Sequence, residues 1–155
     1  MIRIGEKAIP FGSPAVINGE LVYLHPEHLK GRWGALCFVP HLGFIEATVL
    51  DQQGKVFAEA GGLLLAVPVG TRSLHSFQPA YADRDNFVIL GDPLGRLQRL
   101  YGGPIVLPPN RCQTFLIDPD GFFRLYLAHS VNDWGRGVLT QVLRAFQEQE
   151  AAALA

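Results

Sequence analysis

The sequence predicts an α/β fold, a central mixed β-sheet with helices on both faces and a β-hairpin near the N-terminus. Three observations carry this. Asn18-Gly19 lies between two β-prone apolar segments, the strongest short-range hairpin signal. Two nearly continuous apolar runs, Trp33 to Val39 and Leu63 to Val69, read as strands buried on both faces. Thr114 to Ile117 and Phe122 to Leu127 flank Asp118-Pro119-Asp120-Gly121, which is a turn by composition.

Taken in order, the hairpin pairs Ala15 to Ile17 with Leu21 to Leu24, and Pro26-Glu27-His28-Leu29 follows as a short helical turn that stops at Gly31. The segment Glu46 to Ala60 reads two ways. Val49 to Phe57 has the look of a hairpin, whereas Ile45, Val49, Val56, Phe57 and Ala60 recur at helical spacing. Gly54 inside a helix costs about 1 kcal/mol relative to alanine. Helix is preferred because a second buried strand follows, and a parallel crossover of this length normally contains one. Ser73 to Tyr81 reads as a further helix and Phe87 to Leu90 as a short strand. Asp92 as N-cap and Pro93 in the first turn open a helix that ends near Tyr101. After the two later strands, a closing helix runs from about Asp133 or Trp134 to Glu150, with Val138, Val142, Leu143 and Phe146 on one face. The alanine-rich tail, 151 to 155, is expected to fray. The order of elements is that of a thioredoxin-like fold in a single domain spanning 1–155.

With 155 residues, 48% of them hydrophobic, and a formal net charge of -1, the chain can bury a core and offers no basic surface for nucleic acid or an anionic membrane. The longest apolar run is broken by Pro68 and falls short of the roughly 20 residues that cross a bilayer. Met1 to Pro10 carries Arg3, Glu6 and Lys7 where a signal peptide needs apolar sequence, so a cytoplasmic location is expected. Its two cysteines, Cys37 and Cys112, lie far apart with no second cysteine near either. That spacing gives neither a Cys-x-x-Cys redox pair nor a zinc-ligand pair. No cofactor and no metal are expected.

Several blocks in order resemble the AhpC/TSA group of peroxiredoxins. They are Ile4 to Ala8, Asn18 to Leu24, His28 to Trp33, Leu36 to Pro40, Gly62 to Gly70 with Ser73 to Phe77, Gly91 to Gly95, and Thr114 to Gly121. The resemblance spans about Ile4 to Phe146 and implies the thioredoxin-like, peroxiredoxin-type fold and thiol peroxidase (antioxidant oxidoreductase) activity. That activity rests on a Pro-x-x-x-Thr-x-x-Cys motif whose cysteine stands in the first turn of a helix. The helix N-terminus, a hydroxyl and an arginine lower the thiol pKa and hold the peroxide. Here Pro40 matches the proline, Phe44 stands at the threonine position and Ala47 at the cysteine position. The arginine position falls on Cys112, with Arg111 one residue earlier and so directed to the opposite face of a strand. Alanine has no lone pair to donate, so the resemblance implies a member without the peroxidatic cysteine.

Two readings of function follow. In the first, the chain is a non-catalytic binding or scaffolding protein, a homodimer because the resembled family pairs through its sheet edge or active-site face. Its former pocket is Pro40, His41, Phe44, Glu46 and Ala47, made apolar and either closed by packing or left as a depression. In the second, Cys112 helped by Arg111 is a relocated catalytic thiol reducing peroxide or disulfides, with an unidentified thiol reductant or protein partner. A third and weaker reading is a small-molecule binder or an unrelated enzyme using the pocket near Pro40, His41 and Glu46. His41 and Glu46 alone do not complete a metal site, and His25, His28, His75 and His129 show no spacing that would. Cys37, inside an apolar strand, reads as a buried small hydrophobe.

Overall fold

The computed structural model describes residues 2–8, 12–69, 86–92, 94–102 and 111–154. The helix expected over Ser73 to Tyr81 lies outside the described residues, as do Pro93 and residues 103–110. Among the described residues seven strands form one sheet: β1 (Ser13–Ile17), β2 (Glu20–Leu24), β3 (Trp33–Val39), β4 (Gly62–Pro68), β5 (Val88–Leu90), β6 (Cys112–Ile117) and β7 (Phe123–His129). Their order is β2-β1-β5-β4-β3-β6-β7. The β3, β4 and β5 strands run parallel, and the β1–β2, β1–β5, β3–β6 and β6–β7 pairs are antiparallel. This is the expected mixed sheet.

Local chemistry explains the elements that the sequence anticipates. Asn18 and Gly19 take φ values of 53° and 76°, the left-handed pair that a tight hairpin turn requires. Every residue of β3 is buried because its two faces feed two cores. Ala35, Cys37 and Val39 pack with α1 (Phe44–Glu59), whereas Leu36 and Phe38 pack with α2 (Arg96–Gly102). The ambiguous segment is the helix α1, and its glycine has a cause. A Cβ on Gly54 would collide with the backbone carbonyl of Asn86, whose amide and side-chain nitrogens donate to Asp51 Oδ1 at 3.1 and 3.2 Å. Asp51 and Gly54 thus dock the chain that enters β5.

Two helices differ from expectation. α2 begins at Arg96, one turn later than an N-cap at Asp92 would give. The Asp92 carbonyl accepts from Gly95 N to close a turn, while its carboxylate accepts from the Leu97 and Gln98 amides at 3.0 and 3.1 Å. The aspartate caps from a distance. The closing helix is two, α3 (Val131–Gly135) and α4 (Val138–Leu154), broken where Gly137 takes φ 75°. Ser130 caps α3 through a reciprocal pair with Asp133. α4 continues past Glu150 to Leu154, through alanines that have the highest helix propensity of any residue. Among the described residues, no helix is long and apolar enough to cross a membrane.

Candidate active site

The resemblance directs attention to the end of β3 and the start of α1. β3 delivers Pro40, half-buried, to the mouth of a short turn, and Gly43 caps α1 without a side-chain hydrogen bond. The first helical bond runs from Ala47 N to Gly43 O, 3.0 Å. Ala47 therefore sits in the first turn and points inward, 0% exposed, in one core with Val39, Leu42, Leu50 and Cys112. Phe44 and Ile45 point the other way, 74% and 71% exposed. Phe44 does not close the space above Ala47 by burial.

Glu46 is the third residue of α1, where the positive end of the helix dipole favours a carboxylate. Its side chain is only 17% exposed, and Oε1 lies 3.4 Å from Nε2 of the outward-lying His41. The turn thus carries a fixed carboxylate and an imidazole. Among the described residues, no group of three or more His, Cys, Asp and Glu side chains could hold a metal ion.

Cys112 opens β6, one residue before the Gln113 that faces Phe38 across the sheet, and it is fully buried on the α1 side. Arg111, immediately before the strand, is exposed. Burial pushes the Cys112 thiol up to about 12, the nearby charge of Glu46 adds to the rise, and Arg111 opposes it. Cys37 is equally enclosed. Burial pushes its thiol to about 12 as well, against the Thr114 hydroxyl, which lowers it, and with Cys112 adding to the rise. Neither thiol is ionised near neutrality.

Sequence reasoning set His129 aside, yet the structure brings it to this side of the sheet. It pairs across β7 with Cys112, and its Nε2 lies 2.6 Å from Thr114 Oγ1. Continuing the Ile117–Phe123 pairing outward would set His129 opposite Arg111. A register shift between Leu116 and Ile117 moves it to Cys112.

The chain is 30% identical over 132 residues to alkyl hydroperoxide reductase C of Bacillus subtilis, a match that covers 78% of this chain and 69% of that protein. It belongs to the alkyl hydroperoxide reductase C family of peroxiredoxins. The enzyme of the same name from Pseudomonas aeruginosa is 28% identical over 164 residues, covering 99% of this chain and 86% of its own. The crystal structure of Enterococcus faecalis AhpC superposes with a TM-score of 0.72 at 22% identity, covering 95% of this chain and 93% of that one. That likeness establishes the thioredoxin-like fold. No family model matches the chain. As an AhpC-family chain it combines the family's sheet with a first turn of α1 that exposes Phe44 and buries Ala47.

Proposed function

We propose that this chain is a member of the peroxiredoxin family without the peroxidatic cysteine, acting as a non-catalytic binding or scaffolding protein through the turn formed by Pro40, His41, Phe44, Glu46 and Ala47. One observation carries the reading. The sequence holds two cysteines, both are fully buried, and burial pushes both thiols to about 12. Peroxide reduction by a thiol needs an accessible thiolate. At the position where the family motif puts that thiol, the chain has the methyl group of Ala47.

The same observation weighs against Cys112 and Arg111 as a relocated catalytic pair, because Arg111 is exposed beside the strand while Cys112 faces the core with a carboxylate near it. A purified sample given peroxide and a thiol reductant is expected to consume no more than buffer does. Turnover that Cys112→Ser abolishes would sink the reading and establish the relocated thiol in its place. We further infer a cytoplasmic homodimer, supported by the family's pairing and by the apolar Phe44 and Ile45 exposed at the start of α1. Sedimentation of a single species at the mass of one chain would remove the dimer.

A further inference from the structure

A polar chain crosses the otherwise apolar α1 side of the sheet: Cys37 on β3, Thr114 on β6 and His129 on β7, all buried. Thr114 Oγ1 lies 3.3 Å from Cys37 Sγ and 2.6 Å from His129 Nε2, and His129 Nδ1 lies 3.0 Å from the Ser130 carbonyl oxygen. A carbonyl only accepts, so Nδ1 carries a proton and donates it there. In the neutral ring Nε2 is then the acceptor, and the Thr114 hydroxyl donates to it. The single hydroxyl proton cannot also serve Cys37. In this state the thiol is left to donate, to Thr114 Oγ1 or to the Ala35 carbonyl 4.0 Å away. If the ring takes a second proton, the chain reverses: Nε2–H donates to Thr114, and Thr114 donates to the Cys37 sulfur. The hydrogen bonds survive that reversal, but a charge is now buried.

The surroundings do not suit that charge. A cavity at the ring is lined by Leu127, Asp133, Trp134, Val138 and Leu139 as well as His129. The Trp134 ring stands edge-on to the imidazole at 5.0 Å, and its Nε1 is buried with no hydrogen-bond partner among the described residues. Asp133 on α3 attracts a protonated ring, and Arg111 at the head of β6 repels it. α1 contributes Glu46, whose charge reaches Cys112, the cross-strand neighbour of His129. β3 and β6 offer the neutral thiols Cys37 and Cys112, and α4 offers apolar Val138 and Leu139.

We propose that His129 is a pH-operated lock: its neutral ring lets α3 and Trp134 close over it against the sheet, and its protonated ring, a charge shut in an apolar cavity, gains solvent only by loosening α3. Burial, with Arg111 assisting, holds the folded imidazole below its ordinary value of 6.5, although the Ser130 carbonyl and Asp133 oppose the shift. The sign follows. The unfolded chain takes up the proton first as pH falls, so the stability that His129 contributes is whole above 6.5 and is lost as pH drops from there toward the lower folded value.

Hydrogen exchange of the full chain at about pH 7.5 and about pH 5.5, corrected for intrinsic rates, tests the lock against His129→Gln. The wild type is expected to lose protection over Val131–Gly135 at the lower pH while β3 and β4 keep theirs, and the variant is expected to show no pH-dependent loss there. Equal wild-type protection at both pH values, or the same loss in the variant, overturns the proposal. Should the variant fail to fold, nitrogen-15 spectra of the wild-type imidazole decide. A ring protonated on Nδ1 at neutral pH whose titration moves the Trp134 indole signal supports the lock, and a ring titrating at its ordinary value with that signal still defeats it.

Discussion

The two ends of α1 obey different rules. Its C-terminal half is fixed by packing: Gly54 lies against the Asn86 carbonyl, Phe57 is buried, and the Ala60 carbonyl just past the helix accepts a 2.6 Å hydrogen bond from Gln147 Nε2 on α4. At the N-terminal end Gly43 supplies no side-chain cap, two apolar side chains face outward, and the His41–Glu46 contact joins an exposed imidazole to a half-buried carboxylate. The core accounts for the first arrangement. The second leaves the apolar side chains of Phe44 and Ile45 exposed, and no core packing accounts for it.

Substitutions along the helix can break that contrast. Gly54→Ala should have the largest effect, a loss of about 1–3 kcal/mol from overpacking, opposite in sign to the gain of ~1 kcal/mol expected at an open helical site. Urea unfolding reads it, and a stabilised variant would mean that the close approach to Asn86 is wrong. Gln147→Ala should remove about 0.5–1.5 kcal/mol by the same measurement, because the carbonyl that it satisfies is left to water. At the other end, His41→Ala should shift stability by no more than about 0.5 kcal/mol, as expected for an exposed side chain in a single surface contact. A loss as large as that of Gly54→Ala would show the N-terminal turn to be structural and would weaken its assignment as a binding site.

The parts of the fold that could be read from sequence are those where one physical rule dominates. β3 and β4 are legible because burial on two faces leaves a continuous apolar run, and the β1–β2 turn because Asn-Gly has few other uses. α1 is legible only through the crossover that must join two parallel strands, since Gly54 argues against it until Asn86 is seen. The break at Gly137 escapes notice because the apolar spacing of Val138, Val142 and Phe146 extends back to Trp134 across it. At the site, the proline-to-alanine spacing of Pro40 and Ala47 can be counted along the chain, but the outward turn of Phe44 cannot. Nor can the place of His129, since one extra residue on β7, Arg124, between the pairings of Leu116 and Ile117 decides which side chain it meets. Local patterns carry periodicity, and register is settled by contacts between strands that are distant in sequence.

The seating of β6 has a consequence for assembly. Five strands, β2-β1-β5-β4-β3, come from residues 13 to 90, and the β6–β7 hairpin is added beside β3 from the far end of the chain. Until that hairpin docks, β3 is a bare edge and the candidate site has no Cys112 beneath it. Such non-local closure predicts a late step in folding, so conservative substitutions at Leu116 should speed unfolding and leave the folding rate nearly unchanged, whereas a strong effect on the folding rate would place β6 in the nucleus. If the folding rate is indeed unchanged, the site is completed last on folding and opens first on unfolding.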